Sequence, residues 1–278
     1  MLMLIRPAIA LIAIVAVLAV LVRLIESRFA FFPVAGETLP PREPGVELDT
    51  FSIATRDGEQ LRGWALLPAA SRARVLYFHG NGGNLSIWAP ILAGIARRGY
   101  SVLAFDYRGY GNSTGRPSER GLYRDVDAVL ERFWSASPTG TPVIYWGRSL
   151  GTAAAAYAAG RRAPDGLILE APFPDARSLV RSSPPLAFLA LFSTYRFPTA
   201  EFLERVTAPV MVMHGDCDSV IPLVQGQALF EKVPGPKHFF TIRGGDHNDV
   251  TPPDPRAYWQ AVDAFVAGRS GENREPRL

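Results

Sequence analysis

The sequence has 278 residues, of which 48% are hydrophobic and 20% are charged. This length fits one large domain or two small ones at about 150 residues per domain, and the apolar fraction excludes wholesale disorder. The only cysteine, Cys217, excludes an internal disulfide and a CxxC metal site. The net charge of +3 comes from arginines scattered among acidic residues, a distribution that does not indicate a nucleic-acid-binding face.

The N-terminal segment is almost wholly apolar. Residues 7–22 carry no charge and lie between Arg6 and Arg23. A membrane-spanning helix needs about 20 apolar residues, and flanking arginines can extend toward the interface, so the pattern predicts an uncleaved single-span anchor over residues 1–28. A cleaved signal peptide and a buried soluble helix remain as alternatives, although no small-x-small cleavage site follows. The anchor predicts a single-pass protein of the bacterial inner membrane, with the side of the folded domain left open.

Composition divides the rest of the sequence into three segments. Four prolines between residues 29 and 45 predict an extended tether, or an arm that lies over the domain. Residues 46–267 form the predicted domain. Residues 268–278 are charged and predict a frayed tail.

The domain alternates short apolar stretches with helical periodicity. An Asp-Gly turn at 57–58 predicts a hairpin between residues 46–55 and 62–67. Further strands are predicted at 75–78, 102–105, 142–146, 167–169, 210–213 and 238–242, and helices at 85–98, 119–134, 150–161, 225–232 and 255–266. This order predicts an α/β fold with a mostly parallel sheet, helices on both faces, and chemistry at the carboxyl ends of the strands.

A G-x-S-x-G sequence at residues 147–151 stands between a predicted strand and an Ala-rich predicted helix. A sharp turn there would expose the Ser149 hydroxyl above the sheet, and the two glycines would leave room for close approach of the neighbouring backbone. The N-terminus of the following helix favours developing negative charge. The setting predicts Ser149 as a nucleophile rather than as a plain helix cap.

A serine nucleophile requires a base that a carboxylate orients. The chain has four histidines, and only His247 falls in a loop after the last predicted strand, so we expect His247 to be the base. Asp216 and Asp218 both follow a predicted strand, and the residues alone leave the choice between them open. The order Ser, Asp, His along the chain is one of three known for this triad.

A glycine-rich sequence, His-Gly-Asn-Gly-Gly-Asn at residues 79–84, follows another predicted strand. Such a loop exposes backbone N–H groups, and one of these can join the N–H after the nucleophile to bind an oxyanion. The amides of Asn81 and Leu150 are therefore the predicted oxyanion hole. The loop has neither the lysine of a phosphate-binding loop nor the glycine spacing of a dinucleotide site, so the sequence predicts no cofactor and no metal.

Five motifs in chain order carry a family resemblance. They are HGNGGN at 79–84, DYRGYGNS at 106–113, GRSLG at 147–151, HGDCD at 214–218 and GDH at 245–247. Together they resemble the α/β-hydrolase superfamily and, more narrowly, its membrane-anchored Bem46-like and ABHD13/17-like serine hydrolases.

The resemblance implies the α/β-hydrolase fold and a set of residue roles. The implied catalytic residues are Ser149 as nucleophile, Asp218 as acid and His247 as base. A short lid is implied over residues 172–205, and its apolar stretch 184–192 either lines an acyl pocket or packs against the domain. Residues 106–113 are implied to form a structural loop in which Asp106 braces Arg108.

The predicted function is a membrane-anchored serine hydrolase that cleaves a carboxylic ester or thioester with an apolar acyl group. Its predicted partners are a small-molecule or acylated substrate and the membrane, without nucleic acid. A prolyl-oligopeptidase-like peptidase shares the triad order but usually carries a larger appended domain. A non-catalytic membrane-associated scaffold of the same fold would be expected to have lost one of the three catalytic residues, and all three are present.

Overall fold

The computed structural model describes residues 2–40, 42–135, 140–181 and 194–269. The strands, numbered in chain order, are β1 Phe32–Pro33, β2 Val46–Ala54, β3 Gln60–Pro68, β4 Ala73–Phe78, β5 Gly82–Gly83, β6 Tyr100–Phe105, β7 Val143–Arg148, β8 Gly166–Glu170, β9 Val210–Gly215 and β10 Lys237–Ile242. The helices are α1 Leu2–Ala30, α2 Leu85–Arg97, α3 Glu119–Ser135, α4 Leu150–Arg161, α5 Ala176–Arg181, α6 Thr199–Leu203, α7 Leu223–Glu231 and α8 Pro255–Ala267.

One sheet of eight strands organises the domain, in the order β10-β9-β8-β7-β4-β6-β3-β2. The hairpin strands β2 and β3 are antiparallel, and β3 pairs antiparallel with β6. Every pair from β6 across to β10 is parallel. The prediction of a mostly parallel sheet is therefore confirmed, and the carboxyl ends of β4, β7, β9 and β10 share one edge.

Helices cover both faces of the sheet, as predicted. Residues of α2 and α8 pack in one apolar cluster, and residues of α3, α4 and α7 pack in another. Strand β4 divides its side chains between them, with Val75 and Tyr77 in the first cluster and Leu76 and Phe78 in the second. Because a strand covered on both faces has no solvated side, its sequence is a continuous apolar stretch rather than an alternating one.

The predicted membrane localisation is wrong. Within the described residues, no helix combines the length and the apolarity that a bilayer crossing requires. Closer to the domain, the buried Glu26 carboxylate of α1 accepts hydrogen bonds from Thr194, at 2.8 Å from its backbone N–H and also from its hydroxyl.

The predicted lid is only partly described. Residues 172–181 and 194–205 include the short helices α5 and α6. The apolar stretch 184–192 lies outside the described residues, as do residues 270–278 of the predicted tail. The predicted segment boundaries stay predictions.

Candidate active site

Ser149 occupies a strained turn between β7 and α4. Its φ is +54° and its ψ is −121°, a conformation that L-residues rarely adopt and that costs about 1–3 kcal/mol. Its backbone N–H donates to the Glu170 carbonyl at 2.9 Å, and its side chain makes no capping hydrogen bond to the helix. The turn therefore directs the hydroxyl away from the helix end, and the helix-cap interpretation does not hold.

The glycines that flank Ser149 permit this turn. A Cβ at Gly151 would lie 2.7 Å from the His79 carbonyl oxygen and closer still to that of Phe78. A Cβ at Gly147 would lie 2.6 Å from the Gly151 carbonyl carbon. Real Cβ atoms do not make such contacts, so only glycine lets α4 begin directly against the ends of β4 and β7.

Ser149, His247 and Asp218 come together at the carboxyl edge from the ends of three different strands. The His247 Nε2 lies 3.1 Å from Ser149 Oγ, and its Nδ1 lies 2.8 Å from Asp218 Oδ2. A carboxylate only accepts hydrogen bonds, so the Nδ1 carries the proton and the Nε2 faces the serine with its lone pair. This is the arrangement in which an imidazole can remove a hydroxyl proton.

Asp218 is held as a carboxylate. Its Oδ1 accepts hydrogen bonds from the N–H groups of Val220 at 2.9 Å and Ile221 at 2.7 Å. Its Oδ2 lies 3.4 Å from the His214 Nε2, besides the bond from His247. Although burial opposes ionisation, the hydrogen bonds from His214 and His247 hold the pKa of the Asp218 carboxyl well below its usual range.

Asp216 makes a different contact from Asp218. Its Oδ1 accepts a hydrogen bond from the Gly244 N–H at 2.6 Å. Nearby, the Asp246 Oδ1 accepts from both the N–H and the hydroxyl of Ser219, each at 2.7 Å. These bonds join the loop after β9 to the loop after β10, so Asp216 and Asp246 fix the relative position of the loops that carry Asp218 and His247.

Arg148, which precedes Ser149, was not singled out from the sequence. Its buried Nη2 donates to the His247 carbonyl at 2.8 Å and to the Asp249 carbonyl at 2.7 Å, and its Nη1 lies 3.6 Å from the Glu170 carboxylate. Glu170 in turn accepts hydrogen bonds from two aromatic side chains, Trp146 and Tyr258. The G-x-S-x-G pattern leaves this position unspecified, so no sequence signal marks the arginine.

The predicted oxyanion residues Asn81 and Leu150 follow the ends of the paired strands β4 and β7. The loop of Asn81 lies against the serine turn, since a Cβ at Gly80 would be 3.5 Å from the Arg148 carbonyl oxygen. The Tyr110 hydroxyl lies 2.9 Å from both the carbonyl and the side-chain oxygen of Asn81. Leu150 is the first residue of α4.

The implied bracing of Arg108 by Asp106 is wrong. Arg108 instead donates to Asp125 at 2.8 Å and to Asp57 at 2.9 Å. Asp106 accepts a hydrogen bond from the Leu85 N–H at 2.9 Å, at the start of α2. Burial raises the pKa of Asp106 to about 7, a shift that no arginine offsets because the Arg108 guanidinium bonds to Asp125 and Asp57.

Two other histidines, His79 and His214, make their hydrogen bonds to groups other than Ser149. His79 is fully buried, its Nδ1 lies 2.7 Å from the Gly80 carbonyl, and burial lowers its pKa to about 4, so it is neutral at pH 7. His214 contacts the Ile221 carbonyl at 2.8 Å and supports Asp218. Over the described ranges, no group of three or more His, Cys, Asp or Glu residues is suited to a metal ion.

The sheet order and the strand-turn-helix motif around Ser149 define the α/β-hydrolase class. The family described as "Serine aminopeptidase, S33" matches residues 69–205. Among solved structures, the Pyrococcus furiosus esterase Pf2001 has a TM-score of 0.69 at 19% identity, over 86% of this chain and 96% of its own. At that identity the likeness concerns the fold alone.

Two relatives in sequence place the chain more narrowly. Rv2307c of Mycobacterium tuberculosis is 32% identical over 250 residues, which is 87% of each chain. Human alpha/beta hydrolase domain-containing protein 17C is 32% identical over 207 residues, 72% of this chain and 60% of that one. The chain belongs to the α/β-hydrolase superfamily and is of the ABHD17-like type.

Proposed function

We propose that this protein is a serine hydrolase that cleaves a carboxylic ester or thioester with an apolar acyl group. Ser149 is the nucleophile, His247 the general base and Asp218 the acid that orients it. The observation that carries the proposal is the continuous hydrogen-bonded line from Ser149 Oγ through both imidazole nitrogens to Asp218 Oδ2, at 3.1 and 2.8 Å. The amides of Asn81 and Leu150 bind the oxyanion.

The reaction follows from this line of atoms. His247 Nε2 takes the Ser149 hydroxyl proton as Oγ bonds to the substrate carbonyl carbon. The negative charge on the carbonyl oxygen is stabilised by the Asn81 and Leu150 amides. His247 then protonates the alcohol or thiol as its bond to the carbonyl carbon breaks, which leaves the acyl group on Ser149 Oγ. In the second half, His247 takes a proton from water as the water oxygen bonds to the acyl carbon, and it returns that proton to Ser149 Oγ as the Oγ–carbon bond breaks.

An apolar acyl group is supported by exposed apolar side chains in the segments around the site. Ile87, Val220, Val224 and Val250 follow β4, β9 and β10, and each is more than half exposed. Ile87 and Val224 belong to α2 and α7, and Val220 and Val250 belong to loops. Apolar side chains beside a catalytic site would contact an apolar acyl group. The S33 family description supports a peptidase as the second candidate.

Labelling with a fluorophosphonate probe tests the proposal, because such a probe reacts only with an activated serine. We expect the probe to modify Ser149, located by peptide mass spectrometry, and to leave the Ser149→Ala variant unmodified. Turnover is then measured with oxygen esters and thioesters of increasing acyl length, beside an aminoacyl p-nitroanilide. Labelling elsewhere, or no labelling, would support the scaffold, and preference for the anilide would support the peptidase.

The contacts of Arg148 predict that it holds the His247 loop during the reaction. Arg148→Met removes both hydrogen bonds to the loop, and we expect kcat on an ester to fall about 10- to 100-fold with little change in KM, because small misplacements of a base cost this much. Arg148→Lys can contact one of the two carbonyls, so we expect its kcat to lie between those of Arg148→Met and the wild type. Steady-state kinetics and thermal melting of both variants test this, and a Met variant with unchanged kcat would contradict it.

A further inference from the structure

The segment before the domain crosses over the glycine-rich loop that carries Asn81. We call residues 32–37 the strap. Its strand β1, Phe32–Pro33, pairs in parallel with β5, Gly82–Gly83. The pairing continues through the Val34 N–H, which donates to the Gly83 carbonyl at 2.9 Å. The residues directly after Asn81 are thus part of a small two-stranded sheet whose other strand is the strap.

The strap also joins the glycine-rich loop to the loop after β6. The Gly111 N–H donates to the Val34 carbonyl at 2.9 Å, and the Gly36 N–H donates to the Gly111 carbonyl at 3.0 Å. Between these two loops, the strap satisfies backbone groups on each side. The strap is therefore hydrogen-bonded to both loops through its backbone.

Both ends of the strap are fixed to the domain. Just before it, Phe31 is only 3% exposed and packs edge-on against Tyr195 and Phe197, with ring centroids 5.6 and 5.9 Å apart. At its other end the Glu37 carboxylate accepts hydrogen bonds from the Trp64 indole and, at 3.2 Å, from Arg62 Nε. A segment anchored at both ends has little freedom to leave the loop beneath it.

Asn84 connects the strap to the start of α2. Its Oδ1 accepts a hydrogen bond from the Ile87 N–H at 3.3 Å and caps the helix. Its Nδ2 donates to the Val34 carbonyl at 3.2 Å and to the Gly36 carbonyl at 2.8 Å. The side-chain oxygen of Asn84 therefore bonds to the helix, and its side-chain nitrogen bonds to the strap.

The loop that carries Asn81 needs such support. It contains three glycines, at 80, 82 and 83, and glycine has the largest conformational freedom to lose on folding. An oxyanion donor contributes to catalysis only when it already points at the reacting oxygen. Tyr110 holds Asn81 from one side, and the strap holds the residues that follow it.

We infer that the strap is a positioning element of the active site, which fixes the Asn81 amide toward the oxyanion. The inference rests on the proposed function, since it assigns the strap a role in the same reaction. The strap lies before the predicted hydrolase domain, yet its contacts would affect the rate of ester cleavage. The variants that test it remove the hydrogen bonds of the Asn84 side-chain nitrogen and keep an oxygen that can cap α2.

Asn84→Ser and Asn84→Asp both keep an oxygen that can cap α2 and both remove the donors to the strap. The serine variant does so without adding a charge. We expect faster hydrogen exchange at the strap-bonded amides of Val34, Gly36 and Gly111. We also expect kcat to fall about 10- to 100-fold. This fall is smaller than the loss of about 100- to 1,000-fold that follows complete removal of an oxyanion donor. KM is expected to change less than twofold. Ser86→Ala, which removes only the 2.7 Å bond from the Thr38 N–H, is the control and should keep kcat.

A boronic acid that forms a tetrahedral adduct with Ser149 distinguishes positioning from general destabilisation. Its inhibition constant should weaken by about the same factor as kcat/KM in both Asn84 variants. Faster hydrogen exchange at the strap with unchanged kcat and boronate affinity would overturn the inference. Unchanged hydrogen exchange at the strap would overturn it as well. Neither result would affect the proposed function. Absence of ester turnover and probe labelling in the wild-type protein would instead refute the proposed function, and the inference with it.

Discussion

Asp218→Asn is expected to lower kcat about 10,000-fold on an activated ester, the loss measured when a triad carboxylate becomes an amide. An asparagine can keep its Oδ1 on the N–H groups of Val220 and Ile221, but its Nδ2 then faces His247 Nδ1 as a donor. The imidazole must turn its lone pair toward that donor, which places a proton on Nε2, the atom that should receive the one from Ser149. Steady-state hydrolysis of a p-nitrophenyl ester measures the effect.

Asp216→Asn is the matched control for this experiment. The two aspartates are two positions apart in the same loop, but Asp216 accepts a single backbone hydrogen bond, from Gly244, and an amide oxygen can accept it equally well. We expect kcat within a few-fold of wild type. If instead Asp216→Asn were inactive and Asp218→Asn active, the assignment of the acid would be reversed, and thermal melts would show that neither result came from unfolding.

Gly151→Ala is expected to destabilise the fold by about 3 kcal/mol or more, because overlap with rigid backbone cannot be relieved by a rotamer change. The added Cβ would lie 2.7 Å from the His79 carbonyl oxygen and closer to that of Phe78. Both atoms are backbone oxygens, of the last residue of β4 and of the residue that follows it, so relief would require α4 to move away from the sheet. Urea unfolding should show a lower midpoint with an unchanged slope.

Gly160→Ala in the same helix provides the contrast. A Cβ there would lie 3.6 Å from the Phe202 carbonyl oxygen, which is an ordinary contact. Since alanine favours the helix over glycine, the variant should be more stable by up to about 1 kcal/mol. Equal stability of the Gly151→Ala and wild-type proteins would mean that α4 does not begin against the β4 backbone.

The sheet and its covering helices were predictable from the sequence because their signals are local. The apolar stretch at 75–78 and the helical spacing after Asn84 each span a few residues, and β4 and α2 lie there. The meeting of Ser149 and His247 with the loop that carries Asp216 and Asp218 was also predictable, since parallel strands bring their carboxyl ends to one edge. The choice of Asp218 over Asp216 came from the family resemblance. In that case topology supplies the long-range contact.

Other features depend on contacts that no local pattern encodes. Strands β1 and β5 consist of Phe-Pro and Gly-Gly, sequences that disfavour strands, and they form only because segments some 50 residues apart meet. The partners of Arg108 were mispredicted for the same reason, because Asp57 and Asp125 lie far from it in sequence. The membrane localisation was mispredicted because hydropathy alone carried the prediction, and no helix in the described part of the chain meets the requirement for a bilayer crossing.

The strand order carries a consequence for when this protein becomes reactive during its synthesis. On the proposed mechanism, the nucleophile Ser149 is synthesised about 100 residues before the base His247. His247 follows β10, which is the outermost strand of the sheet and joins it through β9 alone. Until that last strand docks, the Ser149 hydroxyl lacks the His247 imidazole as its proton acceptor, so the proposed reaction cannot begin. On this proposal, the protein becomes active only when the sheet is complete. A chain truncated before β10 is expected to be inactive even with every earlier strand in place.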